Sequence, residues 1–189
     1  MSSLFARFLR HPGQVGALCP SSRSLAVEMT RNVGMETAQM VVELGPGTGA
    51  ITCEIIPRLR DRAGFLTVEL DPAMADCLRS RFPRAQVVCG SASRLPDILK
   101  VSGVSSADVI LSGLPWAVFP TRLQDEILDG VLTGLAPGGF FATFAYIQGV
   151  VLPGGIRFRR KLESLFSEVT CSPIVWRNLP PAFVYRCRK

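Results

Sequence analysis

The fold is decided by the stretch VVELGPGTGAI, which occupies residues 41–51. It opens with an apolar β-branched run, which predicts a buried strand. Glycines then stand at positions 45, 47 and 49, and apolar residues recur at helical spacing from Ile51 to Leu59. The stretch therefore predicts a strand, a glycine turn and a helix. Glycine lets the backbone approach a ligand closely, and the helix N-terminus beyond it offers unpaired N–H groups.

Three features separate this turn from phosphate-binding turns. Its spacing is G-x-G-x-G rather than the G-x-G-x-x-G of dinucleotide sites, and it lacks the Lys-Ser/Thr of a P-loop. Glu43 precedes the first glycine by two residues, where a carboxylate repels phosphate and attracts a cationic or amine-bearing ligand. The alternative is a glycine-rich turn with no ligand.

The stretch resembles motif I of the class I S-adenosylmethionine (SAM)-dependent methyltransferases, hydrophobic-x-E/D-x-G-x-G-x-G. The resemblance implies that SAM is the cofactor and that Glu43 lies near its amino-acid end. It also implies that the turn contacts the methionine and adenosine portions of SAM through Gly45, Pro46, Gly47, Thr48 and Gly49.

The bulk composition bounds the class of protein. The chain has 189 residues, 48% of them hydrophobic, and a net charge of +6. These values fit one globular domain, residues 1–189, and the basic excess suits an anionic partner, either nucleic acid or a membrane surface. Six cysteines form no CxxC pair and no cluster with the lone histidine, so we expect no metal site. The start of the chain shows no secretory signal, and a cytoplasmic protein is the simplest interpretation.

The first 30 residues precede the predicted sheet and form its N-terminal helical segment. Residues 4–9 place four apolar side chains on one helical face beside two arginines. This pattern is typical either of an interfacial membrane anchor or of a helix that docks on its own domain. A loop follows, and Ser21 or Ser22 is placed to cap the next helix. The string FLRHPGQVGALCPSSR, residues 8–23, resembles the N-terminal region of the bacterial phospholipid N-methyltransferases.

An acidic residue ends the second predicted strand, residues 65–69. Glu69 lies 24 residues past Gly45, near the ~20 expected for an acid that binds ribose hydroxyls. Asp71 is its competitor, but Asp71 followed by proline predicts a helix cap. After the third strand, Ser91 stands where many family members carry an Asp that contacts the adenine amino group. The resemblance assigns further cofactor contacts to Glu69, Leu70, Ser91, Ala92, Ser112 and Gly113.

The fourth predicted strand runs into SGLPW, residues 112–116. Amino-group methyltransferases that act on nucleic acid carry Asn/Asp-Pro-Pro-Tyr/Phe here, whereas Ser112 or Gly113 replaces the Asn/Asp in this chain. The Gly-Leu-Pro sequence again resembles the phospholipid N-methyltransferases. Pro115 fixes the backbone so that the carbonyls of Gly113 and Leu114 face an acceptor amine. Trp116 offers a cation–π face or, alternatively, packs at the end of the strand.

Two side chains are candidates for the proton acceptor that a protonated amine requires. They are His11, which stands beside a Pro-Gly helix stop, and Tyr146, which ends the fifth predicted strand. Each has a purely structural alternative. The basic run at residues 157–161 starts a predicted helix and is either a solvated helix face or a contact for lipid headgroups.

Strands and helices alternate five times, and a predicted strand pair, residues 166–176 and 180–188, closes the chain. We therefore predict an α/β fold: a Rossmann-like, seven-stranded, mostly parallel sheet with an antiparallel C-terminal strand and helices on both faces. The resemblance implies N-methylation of a phospholipid amine, such as that of phosphatidylethanolamine, by a peripheral protein at the inner face of an anionic membrane. A nucleic-acid partner is not expected, and the oligomeric state is not specified. The alternatives are an rRNA adenine N6-methyltransferase and a non-catalytic SAM-binding protein.

Overall fold

A computed structural model describes residues 21–189 of the chain. His11, the apolar face at residues 4–9 and the string as far as Pro20 lie outside the described residues. Seven strands form one sheet in the order β3-β2-β1-β4-β5-β7-β6. The strands are β1 Met40–Leu44, β2 Gly64–Glu69, β3 Gln86–Cys89, β4 Ala107–Ser112, β5 Leu135–Tyr146, β6 Glu168–Cys171 and β7 Ala182–Arg188.

The strand directions confirm the predicted sheet. Strands β1 to β5 pair in parallel, and β7 runs antiparallel to both of its neighbours, β5 and β6. The strand order reverses between β1 and β4, which are hydrogen-bonded neighbours. Ligands of open α/β sheets bind at such a reversal, outside the carboxyl ends of the strands. The glycine turn after β1 and the SGLPW segment after β4 both stand at this point.

Between residues 21 and 189, six α-helices connect or flank the strands, and two of their predicted caps are confirmed. The Ser22 side chain accepts from the N–H of Leu25 at 3.2 Å, and Asp71 accepts from the N–H of Met74 at 2.9 Å. Both contacts satisfy backbone donors that a helix start leaves unpaired. The helices are α1 Arg23–Thr30, α2 Thr52–Ile55, α3 Pro72–Arg81, α4 Leu95–Val101, α5 Thr121–Gly134 and α6 Pro153–Leu165.

Three element boundaries differ from the sequence-based expectation. Helix α2 gives way to a 3-10 turn at Ile56, because Pro57 cannot continue an α-helix. Helix α6 begins at Pro153 rather than at Arg157, since proline is favoured in a first helical turn. Strand β6 ends at Cys171, well before the expected end at Trp176.

The two faces of the sheet carry separate hydrophobic layers. On one face, strand residues such as Val42 and Phe141 pack against α4, α5 and α6. On the other face, Val41 and Ala142 pack against α1 and α2. Neighbouring strand residues point to opposite faces, so adjacent positions contribute to different layers. Helices therefore cover both faces, as predicted.

Helix α1 is fastened to the far half of the sheet by a buried arginine. The Arg186 guanidinium on β7 donates to the Glu28 carboxylate at 2.5 Å and to the carbonyl of Arg31 at 2.7 Å. A paired and hydrogen-bonded charge is tolerated in a buried position. None of the helices between residues 21 and 189 is both apolar and long enough to cross a bilayer.

Candidate active site

The glycine turn after β1 has a backbone conformation that residues other than glycine rarely adopt. Gly45, Gly47 and Gly49 have φ values of +68°, +54° and +80°. The N–H of Gly45 donates to the carbonyl of Val68 on β2 at 2.9 Å, which ties the turn to the neighbouring strand. Only glycine occupies this left-handed region without steric strain.

The three glycines differ in what surrounds them. A Cβ on Gly45 would lie 2.6 Å from the Leu114 side chain, and one on Gly49 would lie 2.4 Å from the Phe82 ring. A Cβ on Gly47 would meet nothing within 4 Å. Gly45 and Gly49 therefore allow close packing, whereas Gly47 leaves the turn open on the side where a ligand can approach.

Glu69 joins the glycine turn to the end of β2. Its carboxylate accepts from the N–H of Gly47 at 3.1 Å and from the N–H of Asp71 at 3.0 Å. The side chain is largely buried. Two backbone donors thus hold the carboxylate at the mouth of the turn, and its remaining lone pairs can accept from hydroxyl groups.

Glu43 lies fully buried beneath the turn, on the α2 side of the sheet. One of its oxygens accepts from the Thr52 hydroxyl at 2.6 Å, and the other has no hydrogen-bond partner in the described part of the chain. Burial raises the pKa of Glu43 to about 7, and the charge of Glu69 adds to the shift, while the Thr52 hydrogen bond opposes it. A nearby cation would favour the ionised carboxylate.

The segment after β3 is a short turn built around a serine pair. The Ser91 hydroxyl contacts the Ser93 hydroxyl at 2.9 Å and accepts from the Ser93 N–H at 3.3 Å. Ala92 begins a 3-10 turn and is half-buried, whereas Leu70, after β2, is exposed. The Ser91 hydroxyl is therefore engaged locally, and the contact with adenine predicted for Ser91 and Ala92 stays a prediction.

The loop after β4 is locked to the glycine turn. The N–H of Gly113 donates to the carbonyl of Leu44 at 2.8 Å. A Cβ on Gly113 would lie 2.6 Å from the backbone oxygen of Gly45. Glycine is therefore required at Gly113 for a close approach of two backbones, and the structure brings the two predicted halves of the site into contact.

Ser112 organises this loop from a buried position. Its hydroxyl accepts from the indole N–H of Trp116 at 3.1 Å and from the N–H of Leu114 at 3.3 Å. Its carbonyl accepts from the Thr143 hydroxyl at 3.0 Å. The Leu114 carbonyl accepts from the N–H of Trp116 at 3.0 Å, which closes the turn around Pro115.

Trp116 packs in the core, which favours the structural alternative for this side chain. Only 3% of it is exposed, and its ring stacks on Phe158 of α6 with centroids 4.5 Å apart. The rings of Phe119 and Phe141 pack edge-to-face with it, each with its centroid 6.0 Å from that of Trp116. The described geometry thus presents no open ring face to a cation, and Trp116 acts by holding the loop against α6.

Tyr146 ends β5 at the same edge of the sheet but lies on the other face. Its ring meets the edge of Phe144 and packs with the layer that contains α1, whereas Trp116 belongs to the layer under α6. Tyr146 is half-buried. The structure therefore does not bring Tyr146 and Trp116 together, and the proton-acceptor role of Tyr146 stays a prediction.

The basic run at residues 157–161 does not act as one charged face. Phe158 is buried in the core, Arg159 pairs with Glu163 at 2.9 Å, and Lys161 pairs with Asp125. Arg157 and Arg160 are exposed and have no ion-pair partner among residues 21–189. Only these two arginines of the run remain to contact an external anion.

Three residues that support the site were not singled out from the sequence. Thr52 binds Glu43, Thr143 binds the Ser112 carbonyl, and Gln124 donates to the Trp116 carbonyl at 2.7 Å. Gln124 could have been found from the sequence, because it is a polar residue on the otherwise apolar face of a predicted helix. The partners of both threonines follow from the packing of neighbouring elements, which the sequence does not display.

Residues 41–139 match the family described as "Methyltransferase domain". That range begins with β1 and contains the glycine turn, Glu69 and the loop after β4. The chain belongs to the SAM-dependent methyltransferases of class I. SAM is the cofactor of this methyltransferase.

A curated relative and two solved structures extend this result. The enzyme is 37% identical over 187 residues to an ornithine lipid N-methyltransferase of Singulisphaera acidiphila, across 96% of this chain and 92% of the relative. Its fold matches an O-methyltransferase from Bacillus cereus in complex with SAH (TM-score 0.70, 15% identity, 100% of this chain and 92% of that chain). It also matches the O-methyltransferase TomG from Streptomyces achromogenes in complex with SAM (TM-score 0.71, 16% identity, 100% and 91%). At such low identity the two structures show the fold alone.

The residues of this methyltransferase fit SAM. Two buried carboxylates, Glu43 and Glu69, lie near the open turn, and SAM carries two cationic groups and two ribose hydroxyls. The unpartnered oxygen of Glu43 is a buried acceptor that a cationic ligand would satisfy. Gly47 leaves the space into which such a ligand fits.

Proposed function

We propose that this methyltransferase transfers the methyl group of SAM to the amine of a lipid headgroup at the membrane surface, with phosphatidylethanolamine as one acceptor. The observation that carries this proposal is the 37% identity to an ornithine lipid N-methyltransferase over 96% of the chain. Ornithine and ethanolamine headgroups share a primary aliphatic amine. We therefore propose that the methyl acceptor is a primary aliphatic amine and that it is methylated repeatedly, up to the trimethyl product.

We assign the cofactor contacts to residues around the glycine turn, and the open space at Gly47 supports this assignment. Glu69 accepts from the ribose hydroxyls, and Glu43 lies toward the amino-acid end. The glycine turn, from Gly45 to Gly49, lies along the cofactor. Leu70, Ser91 and Ala92 contact the adenosine portion from the ends of β2 and β3, and Ser112 and Gly113 border the methionine portion.

The acceptor roles are assigned to the loop after β4. The carbonyls of Gly113 and Leu114 hold the amine, and Pro115 keeps them oriented. Trp116 anchors that loop in the core through its stack on Phe158. Orientation of this kind supplies much of the rate enhancement in a bimolecular displacement.

The chemistry is an in-line displacement. Bound SAM supplies a methyl group on a sulfonium sulfur, which leaves as a neutral thioether when the amine lone pair forms the new N–C bond. An amine that arrives as an ammonium must first lose a proton, and we assign this proton to Tyr146 or His11. Each further round needs the same deprotonation, because the methylated product is again an ammonium.

We place the enzyme in the cytoplasm, attached peripherally to the anionic inner face of the membrane. The net charge of +6 and the exposed Arg157 and Arg160 support this location. The apolar face at residues 4–9 gives a second attachment in the sequence. Two weak attachments together bind a membrane more stably than one.

Incubation with methyl-labelled SAM tests the proposal. The acceptors are anionic vesicles with phosphatidylethanolamine, the same vesicles with ornithine lipid, vesicles without an aminolipid, and unmodified ribosomal RNA. We expect label in one or both aminolipids and none in the other samples. Label in RNA alone would establish the adenine methyltransferase instead, and SAM binding without any transfer would identify a non-catalytic binder.

A further inference from the structure

Exposed apolar side chains are distributed unevenly between the two edges of the sheet. Ten large apolar side chains are exposed among residues 21–189. Two of them, Val101 and Leu165, lie at helix ends that lead into the amino ends of β4 and β6. The other eight lie at the carboxyl edge, where the site is: Leu70, Val118, Val151, Leu152, Ile156, Ile174, Trp176 and Leu179.

Two of the three most exposed large apolar residues at the carboxyl edge belong to the loop between β6 and β7. We call residues 174–181 the Trp176 loop. Trp176 is 71% exposed and Leu179 is 78% exposed, and Arg177, between them, is exposed as well. A tryptophan, a leucine and an arginine presented together to solvent are typical of the boundary between lipid headgroups and acyl chains.

The Trp176 loop is held by hydrogen bonds beneath its exposed side chains. Asn178 is buried, its amide nitrogen donates to the Pro180 carbonyl at 2.7 Å, and its amide oxygen accepts from the N–H of Ser22 at 2.9 Å. The N–H of Val175 donates to the carbonyl of Ala182 at 2.7 Å. The exposed side chains therefore stand on an ordered backbone, which lowers the entropy lost when a surface binds.

The Trp176 loop lies beside the acceptor half of the site, which is the part formed at the ends of β4 and β5. Ala182, which follows it, pairs with Tyr146 at the end of β5, and the N–H of Ile147 donates to the Pro181 carbonyl at 3.1 Å. Val151 and Leu152 follow Ile147 within a few residues, and both are exposed. The apolar surface is thus continuous with the edge at which the acceptor must arrive.

The segments of this surface on the acceptor side carry only positively charged side chains. The segments 113–120, 147–160 and 172–181 contain four arginines and no aspartate or glutamate. One of the four, Arg159, pairs with Glu163, and the other three are exposed without an ion-pair partner in the described part of the chain. Cations around an apolar surface complement anionic lipid headgroups around acyl chains.

We propose that the carboxyl edge of the sheet is the membrane-docking face, and that the Trp176 loop inserts Trp176 and Leu179 among the lipids of an anionic bilayer. This inference rests on the proposed function, because it takes the bilayer as the source of the acceptor. Docking in this orientation presents the loop after β4 to the headgroups. The acceptor amine then enters the site without leaving the membrane surface.

The test is the double variant Trp176→Ser and Leu179→Ser in the full chain, with Val101→Ser as the matched control. Val101 is 89% exposed at the opposite edge, so its substitution removes an exposed apolar side chain away from the docking face. We expect the double variant to bind anionic phosphatidylglycerol vesicles at least about tenfold more weakly in a flotation assay, and the control to bind like the wild type. Arg177→Gln should weaken binding to these vesicles but not to neutral vesicles.

Activity on detergent-dispersed aminolipid separates this inference from the proposed function. The docking face is supported if the double variant methylates dispersed lipid like the wild type but methylates vesicles poorly. Equal vesicle binding by the double variant and the wild type overturns the docking face, even when both are active. A change from dimer to monomer in the double variant, measured by light scattering, would instead assign this surface to a second copy of the chain and overturn the inference. A wild type inactive on every aminolipid refutes the proposed function alone.

Discussion

The two halves of the site differ in how they are built. In the cofactor half, at the ends of β1 and β2, two buried carboxylates face a glycine turn with fixed backbone geometry. In the acceptor half, at the ends of β4 and β5 and the start of β7, the Ser112 hydroxyl and the Trp116 ring are occupied by other parts of the protein. What the acceptor half presents to the outside is apolar and positively charged.

If the proposed function holds, the two substrates are recognised by different kinds of interaction. Charges and hydrogen bonds at fixed positions would select the small cationic cofactor. The surface that brings the amine to the loop after β4 would select an acceptor that lies in a membrane. Substitutions in the cofactor half should therefore change affinity for SAM, and those in the acceptor half should change transfer or docking while SAM binding persists.

The largest effect is expected from Glu69→Ala. Hydrogen bonds to a charged group contribute about 1.5–3 kcal/mol each, and this carboxylate is assigned two ribose hydroxyls. We therefore expect affinity for SAM, measured by calorimetry, to fall by about 100-fold or more. Asp71→Asn is the control, because asparagine also caps a helix and α3 should keep its start. Unchanged affinity in Glu69→Ala would remove the ribose assignment.

The second effect concerns the stability of the cofactor half as pH changes. Burial raises the pKa of Glu43 from its ordinary value of 4.5 to about 7. The folded protein therefore holds this proton more tightly than the unfolded chain, and the resulting stability is lost as pH rises from about 4.5 to about 7.

Glu43→Gln removes this titration. We expect the variant to match the wild type near pH 4.5 and to be more stable by roughly 3 kcal/mol above pH 7, since a unit of pKa corresponds to about 1.4 kcal/mol. Urea unfolding at several pH values measures the difference. A difference that is the same at every pH would show that Glu43 does not titrate between these values.

A smaller effect is expected from Ser112→Ala in the acceptor half. The substitution leaves the buried indole N–H of Trp116 without its acceptor, which costs about 1–3 kcal/mol of stability. The loop should loosen, so that kcat falls. Affinity for SAM should stay within about twofold, because the hydroxyl that is removed accepts from Trp116 and Leu114, while the backbone of Ser112, which is assigned to the methionine portion, is kept. Ser164→Ala is the control, because its hydroxyl lies exposed on α6. An equal loss of SAM affinity and kcat would show that the acceptor half and the cofactor half do not act separately.

Local chemistry explains what could be predicted from the sequence. The glycine turn, the acid that ends β2 and the caps at Ser22 and Asp71 each depend on residues a few positions apart, and the structure places them as expected. Alternation of strands and helices likewise predicted the parallel sheet. These features are written in adjacent residues, because turn geometry and capping act over short distances.

The acceptor half was harder to predict because its contacts are distant in sequence. Trp116 meets Phe158 across a whole helix and strand, which left both a core role and a ligand role compatible with the sequence. The early start of α6 allows Gly154 to approach Ala117, where a Cβ would lie 2.2 Å from the backbone oxygen. Neither contact produces a recognisable pattern in neighbouring residues of the sequence, since each forms only when the layer on that face of the sheet assembles.

The most direct test of the central claim is the lipid composition of a bacterium that makes aminolipids but no N-methylated lipid. The wild-type chain and Glu69→Ala are expressed in parallel, and total lipids are compared by mass spectrometry. We predict monomethyl, dimethyl or trimethyl aminolipids in cells with the wild type and their absence in cells with Glu69→Ala. Unmodified aminolipids in cells that contain folded, SAM-binding wild-type protein would contradict the account.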